Sequence, residues 1–278
     1  MTIAELLNDA TSQLATNSAT PRLDAELLLM KILAVERGYF YTHPEGKLTT
    51  EQLECWYSML QQRLSGRPIA YILGQQEFWS LNLKVTSDVL IPRKETELLV
   101  EIALQKLPKN EVLSVADLGT GSGAIALALA RERSKWRIFA TDLSVEALIL
   151  AKENATNLKI ENVEFFCGDW CCALPEIKYE AIIANPPYID LSDQNVAASV
   201  RQFEPYAALF AKDDGLEAIR LIADQARSHL KTGGWLFLEH GFLQGAAVVE
   251  ILQDFGYCDV CDHLDLAGYG RAVAGRLL

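Results

Sequence analysis

Val112-Leu113-Ser114-Val115-Ala116-Asp117-Leu118-Gly119-Thr120-Gly121-Ser122-Gly123-Ala124 is the stretch that decides the fold. Val112 to Leu118 is an apolar run of the kind found in a strand buried on both faces. It runs directly into three glycines and then into an alanine- and leucine-rich segment that reads as a helix from Ala124. Glycine adopts torsions closed to other residues and lets a ligand approach the main chain. The helix N-terminus beyond offers free amides and the positive end of its dipole. The spacing is G-x-G-x-G, not the G-x-G-x-x-G of dinucleotide sites.

Outward from this loop, strands and helices alternate. Leu113–Leu118, Ile138–Thr141, Val163–Cys167 and Ala181–Ala184 read as strands, and a helix around Leu216–Leu230 precedes the strand Trp235–Glu239. Such alternation predicts an α/β domain, a mostly parallel sheet with helices on both faces, over residues 96–278. Residues 1–74 read differently. Thr2 with Glu5 and Thr49 with Gln52 are capping boxes, Thr20-Pro21 is an N-cap followed by proline at N1, and Gly66 is a stop. Leu23, Leu27, Leu28 and Ile32 keep helical spacing, so this part is expected to be a small helical bundle without chemistry of its own. Between the two, Phe78, Leu81, Leu83, Val85 and Val89 alternate with polar residues, which predicts a β-hairpin connector over 75–95, ended by Ile91-Pro92-Arg93.

Composition bounds the class. The chain has 278 residues, of which 50% are hydrophobic and 22% charged, so two structural units with a sizeable core are expected and disorder is not. No apolar run is long enough for a bilayer span, and Glu5, Asp9, Arg22, Asp24 and Glu26 do not fit a secretory or transit peptide. Six cysteines are too sparse for a disulfide scaffold, so a reduced cytoplasmic setting is expected. The net charge is −12, with −2 up to Gly74 and −10 beyond it, the wrong sign for neutralising a long duplex. A small molecule and a protein are the partners that this balance favours.

Two acids follow the glycine loop at strand ends. Asp142, 19 residues past Gly123, is placed to accept both hydroxyls of a ribose. Asp169 is placed to accept an adenine amino proton, and Trp170 to cover a ring face. Singly these are ordinary strand-end caps and a core aromatic; in series they suit a nucleoside. The ligand need not carry phosphate, and S-adenosyl-L-methionine fits, with Asp117 bonding loop amides or the ligand's ammonium group. After the strand Ala181–Ala184 comes Asn185-Pro186-Pro187-Tyr188. Two prolines stop the ladder and hold the turn stiff. The Asn185 side-chain oxygen and the Pro186 main-chain oxygen are then two fixed acceptors for the two hydrogens of a planar –NH2 group, with Tyr188 beside it. This pattern points to methyl transfer onto an amide or exocyclic amine nitrogen.

These residues resemble the glutamine N5-methyltransferases that modify peptide chain release factors. The resemblance spans most of the chain: Gly66-Arg67-Pro68-Ile69-Ala70-Tyr71-Ile72-Leu73-Gly74 with Glu77-Phe78, Ile91-Pro92-Arg93 with Thr96-Glu97, the glycine loop, Asp142, Asp169-Trp170, the Asn-Pro-Pro-Tyr turn with Ile189-Asp190, Phe203-Glu204-Pro205 and Asp214-Gly215-Leu216. Lys94 departs from the pattern, since the family usually has a second proline there. The resemblance implies a Rossmann-like methyltransferase domain with a helical domain that docks substrate. It also implies S-adenosyl-L-methionine bound by Gly119, Thr120, Gly121, Ser122, Gly123, Asp142, Trp170 and Asn185, and the glutamine of a release factor's Gly-Gly-Gln motif held by Asn185, Pro186, Pro187 and Tyr188.

Three other readings stay open on the residues alone: methylation of an exocyclic amine of adenine or guanine, methylation of a ribosomal-protein glutamine, and a non-catalytic nucleoside-binding module. Cys258 and Cys261 form a lone C-x-x-C in an apparent strand, which sends its thiols to opposite faces, so inert buried cysteines are expected rather than zinc. His43, His229, His240 and His263 have no ligand spacing. A monomer is expected.

Overall fold

Thr2 and Thr49 each start a helix by the expected reciprocal bonds. Thr2 Oγ1 accepts Glu5 N–H at 3.2 Å while Glu5 Oε2 accepts Thr2 N–H at 2.8 Å, and Thr49 and Gln52 repeat the exchange at 3.3 and 2.9 Å. Each cap of this kind is worth about 1 kcal/mol. A computed structural model describes residues 1–278. It divides them into a unit of Met1–Gln75 with Ala197–Phe203 and a unit of Gln76–Val196 with Glu204–Leu278.

The first unit contains α1 (Ile3–Leu14), α2 (Pro21–Leu33), α3 (Tyr39–Thr42), α4 (Thr50–Leu64) and α5 (Ile69–Leu73) around Leu6, Leu7, Leu28, Leu29, Trp56 and Leu60. Gly66, at φ +91°, follows the end of α4. The buried face of α2 differs from the expected one. Leu23 is 39% exposed, while Asp24 and Glu26 are buried. Arginines make this possible: Arg63 Nε lies 2.7 Å from Asp24, and Arg22 and Arg37 lie 2.8 and 2.6 Å from Glu26. Thr20 does not cap the helix; its hydroxyl donates to Asp24 at 3.3 Å.

The second unit opens within β1 (Gln75–Phe78), which pairs with β2 (Leu81–Lys84) across Trp79-Ser80. Both turn residues have positive φ, 51° and 58°, as a two-residue hairpin turn of the right twist requires. Glu97 and Glu77 accept their amides at 2.8 and 2.6 Å and hold the turn without glycine. The expected strand to Val89 stops at Lys84, because Thr86–Val89 closes a turn of its own. Nor is the hairpin only a connector: Phe78, Leu81 and Leu83 are buried in one cluster with α6 (Glu97–Lys106) and α7 (Ala124–Glu132).

The remaining elements are β3 (Ser114–Leu118), β4 (Arg137–Asp142), α8 (Val145–Leu158), β5 (Val163–Cys167), β6 (Tyr179–Ala184), β7 (Ile189–Asp190), α9 (Ala198–Phe203, in the helical unit), β8 (Phe210–Ala211), α10 (Glu217–His229), β9 (Leu230–Glu239), α11 (Gly245–Asp254), β10 (Tyr257–Leu264) and β11 (Gly270–Leu277). The main sheet runs β10-β11-β9-β6-β3-β4-β5. β9, β6, β3, β4 and β5 are parallel; β11 and β10 are antiparallel. One cluster joins α6 and α7 to the sheet and a second joins α10 and α11, so helices cover both faces. β3 lies between β4 and β6, where the chain order reverses, and a crevice opens there at the carboxyl ends of the strands.

Candidate active site

The carboxyl ends of β3, β4, β5 and β6 converge on a cavity of about 420 Å³. Gly119, Gly121, Asp142, Asp169, Trp170, Asn185 and Pro187 stand on its wall, with Asp88–Leu90 and Pro205, Ala207 and Ala208 closing it. Pro186 and Tyr188, expected to hold substrate, are not on that wall, and neither are four residues expected to hold the cofactor, Asp117, Thr120, Ser122 and Gly123. These four shape the loop from behind it. Asp117 is buried, and its Oδ2 accepts the Thr120 hydroxyl at 2.6 Å and Ala126 N–H at 3.1 Å. Asn154 fastens the same loop by donating to the Ser122 carbonyl at 2.9 Å and to the Lys84 carbonyl at 3.0 Å. Gly123 has φ +87°, and a Cβ there would lie 3.0 Å from Leu127 and 3.3 Å from Ala151. Gly121, at φ +55°, faces open space.

Asp142 is oriented by main-chain amides: Gly121 N–H donates to Oδ2 at 2.8 Å and Ser144 N–H to Oδ1 at 2.9 Å. A carboxylate has roughly four lone-pair sites, so two remain for a ligand. Asp169 is exposed, and Trp170, half-buried with φ +41°, lies against the loop, since a Cβ on Gly119 would stand 3.1 Å from its ring. The far wall is tied together by Glu204, whose oxygens accept Ile91 N–H at 3.2 Å and Arg93 at 2.5 Å. Lys94 is exposed, and the turn from Arg93 closes through Thr96 N–H to Arg93 O at 3.2 Å without a second proline.

The Asn185–Tyr188 turn follows β6. Asn185 Nδ2 donates to the Thr96 hydroxyl at 3.1 Å. Its Oδ1 and the Pro186 carbonyl accept no hydrogen bond from the protein. The Tyr188 hydroxyl does not face the turn's open side; it donates to Glu239 Oε1 at 3.1 Å. Burial pushes the Glu239 carboxyl up to about 7, and burial together with Glu239 pushes the Tyr188 phenol well above its ordinary value. Burial likewise raises Asp117 to about 7, and one of its oxygens, Oδ1, has no partner. It raises Asp142 as well. Sequence reasoning missed Thr96, Asn154 and Glu239 as parts of this site. The one available signal was that Glu239 ends a strand in the same series as Asp142 and Asn185.

The cysteines differ from expectation in their exposure. Cys171 is buried, but Cys55, Cys167, Cys172 and Cys261 are exposed and all six thiols are free. β10 breaks its register between Cys258 and Cys261, and their thiols donate to the Arg276 and Asp262 carbonyls.

Known proteins share this arrangement of sequence. Residues 5–74 match the PrmC N-terminal domain and residues 94–216 the Methyltransferase small domain. A release factor glutamine methyltransferase of Coxiella burnetii is 50% identical over 99% of both chains. The chain belongs to the release factor glutamine methyltransferase family. A second member, from Shewanella oneidensis, is 45% identical over 99% of this chain and 96% of its own. Among solved structures, a methyltransferase from Pyrococcus furiosus covers 70% of this chain and 88% of its own at a TM-score of 0.52 and 17% identity, a likeness of fold. The sheet with its crevice is thus a methyltransferase fold, and the family's N-terminal helical domain precedes it.

Proposed function

We propose that this family member transfers a methyl group from S-adenosyl-L-methionine to the side-chain N5 of the glutamine in the Gly-Gly-Gln motif of class 1 peptide chain release factors. The observation that carries the reading is the pair of unpartnered acceptors, Asn185 Oδ1 and the Pro186 carbonyl, on a stiff turn at the rim of the cavity.

The residues present suit the cofactor. Gly121 leaves open space where any side chain would intrude, and Asp142 keeps free lone pairs. Gly119, Gly121, Asp142, Asp169, Trp170 and Asn185 would hold it, with Asp117, Thr120, Ser122 and Gly123 maintaining the loop. When bound, S-adenosyl-L-methionine supplies an electrophilic sulfonium methyl. The chain's own part is to bind and orient. A glutamine amide nitrogen is a poor nucleophile because its lone pair is conjugated. Asn185 Oδ1 and the Pro186 carbonyl accept its two hydrogens, aim the nitrogen into the cavity and stabilise the positive charge it gains on attack. Orientation of this quality removes roughly 7–11 kcal/mol from a barrier. The N-alkylated amide is strongly acidic, so its proton leaves to water and no dedicated base is needed.

In this reading residues 1–74 dock the release factor, residues 96–278 carry out the transfer, and the enzyme works as a monomer in the cytoplasm, with no nucleic acid in direct contact. Incubation with labelled S-adenosyl-L-methionine and a release factor, followed by peptide mass spectrometry, should find one added methyl on the Gly-Gly-Gln glutamine. It should vanish when that glutamine is replaced. Label on a nucleic-acid base, or on a ribosomal protein only, would reject the assignment. Asn185→Ala should lower kcat by about 100- to 1000-fold, the loss typical of one transition-state hydrogen-bonding partner, and change cofactor Kd only a few-fold.

A further inference from the structure

Behind Asn185 lie two buried side chains that the reaction as described does not use. Thr96, 4% exposed, precedes α6, and its hydroxyl oxygen accepts Asn185 Nδ2–H at 3.1 Å. Glu239, 2% exposed, ends β9 next to the strand that leads into the turn. Its Oε1 accepts the Tyr188 hydroxyl and Oε2 has no partner, while the nearby Thr96 side chain favours the charged form of the carboxyl. Arg271 on β11 favours the charged carboxylate, and Glu95 opposes it.

The two ends of a carboxamide are nearly identical in shape and opposite in hydrogen-bonding sense. Packing alone therefore cannot decide which end of Asn185 faces the substrate; the partner on its other side must. A hydroxyl by itself does not decide either, because it has one proton to give and two lone pairs. In its ionised form Glu239 only accepts, so the Thr96 proton is then drawn toward the acid and a lone pair is left toward Asn185. The NH2 end of Asn185 is then the end that meets Thr96, and Oδ1 points away from it. A reversed Asn185 would set its own NH2 against the NH2 of the substrate, donor against donor.

We infer that Thr96 and Glu239 are positioning residues, which fix the hydrogen-bonding sense of Asn185 so that its oxygen meets the substrate amide. The inference rests on the glutamine-methylating reading of the site. Tyr188 belongs to the same network, its hydroxyl tethering the turn to Glu239 rather than contacting substrate.

Single-turnover methylation of an intact release factor, together with calorimetric binding of S-adenosyl-L-methionine, tests this on wild type, Thr96→Val, Thr96→Ser and Glu239→Gln. Thr96→Val keeps the shape and removes the acceptor. Its rate should fall at least about tenfold, the worth of one buried hydrogen bond, with cofactor Kd unchanged. Thr96→Ser restores the hydroxyl and should recover most of the rate. A residue needed only for packing would show neither the split between rate and affinity nor the rescue. Should Thr96→Val fail to fold, Glu239→Gln decides: its carboxamide can donate to Thr96 and reverse the network, so the rate should drop about fivefold at unchanged Kd. Wild-type rates in Thr96→Val or, in its absence, in Glu239→Gln overturn the inference alone. So does a Thr96→Ser as slow as Thr96→Val. A wild-type enzyme that leaves the glutamine unmodified overturns the proposed function, and the inference with it.

Discussion

The helical unit buries two carboxylates and the methyltransferase unit three, and two of those three are treated in the opposite way from the helical pair. In the helical unit Asp24 and Glu26 are satisfied. Asp24 meets Arg63 and the Ser18 hydroxyl, both at 2.7 Å, and Glu26 meets Arg22 and Arg37. In the methyltransferase unit Asp117 and Glu239 have no ion-pair partner, each keeps one oxygen without a hydrogen bond, and burial lifts both to about 7. A carboxylate that only supports a fold is best enclosed by its donors. One that must act on a ligand or orient a neighbour retains a lone pair, and the raised pKa is the energetic consequence.

Arg63→Met would break the contrast most severely, by turning a satisfied acid into an uncompensated one. Asp24 would be left buried with its main counter-charge gone, and urea unfolding should show a loss of about 4 kcal/mol. Cofactor affinity should stay as it is.

A pH series sharpens the contrast next. Because the folded Glu239 and Asp117 carboxyls titrate higher than their unfolded values of 4.5 and 3.8, the folded state binds the extra protons. Their contribution to stability is present in full below about pH 4 and is lost as pH rises through about 7. Glu239→Gln should flatten that decline by on the order of 3 kcal/mol between those limits, read from denaturation midpoints at each pH. An unchanged slope would mean that burial does not raise this carboxyl.

Glu204 is intermediate between the two kinds, being buried and paired with Arg93 yet next in sequence to Pro205 of the cavity wall. Glu204→Gln weakens its grip on Arg93, and cofactor Kd should rise about tenfold, with a smaller fall in stability. The smallest effect belongs to Tyr188→Phe. The hydroxyl faces Glu239, so kcat should fall by no more than about threefold, one partly compensated hydrogen bond, and less than in Thr96→Val.

Much of the second unit was legible because its signals are local. The run from Val112 to Gly123, the prolines after Asn185 and the acids at strand ends need only neighbouring residues to be read. Val163–Cys167 even matches its expected bounds. The antiparallel β10–β11 pair was not legible as an extension of the sheet, because Cys258–His263 is largely polar and alternates weakly at the sheet edge. The buried face of α2 was misread because acids count as surface residues until arginines from other parts of the chain are brought to them. The same limit hid the Asn185 network: Thr96 looks like a helix start and Glu239 like a strand end, and only the fold sets them beside each other.

Methyl transfer to the amide depends on which atoms grip the substrate nitrogen, and a crystal structure of the enzyme with S-adenosyl-L-homocysteine and a release factor would test this most directly. The glutamine side-chain nitrogen should lie at hydrogen-bonding distance, ~3 Å, from both Asn185 Oδ1 and the Pro186 carbonyl. A glutamine bound with its carbonyl oxygen toward those atoms, or held away from the turn altogether, would contradict the account.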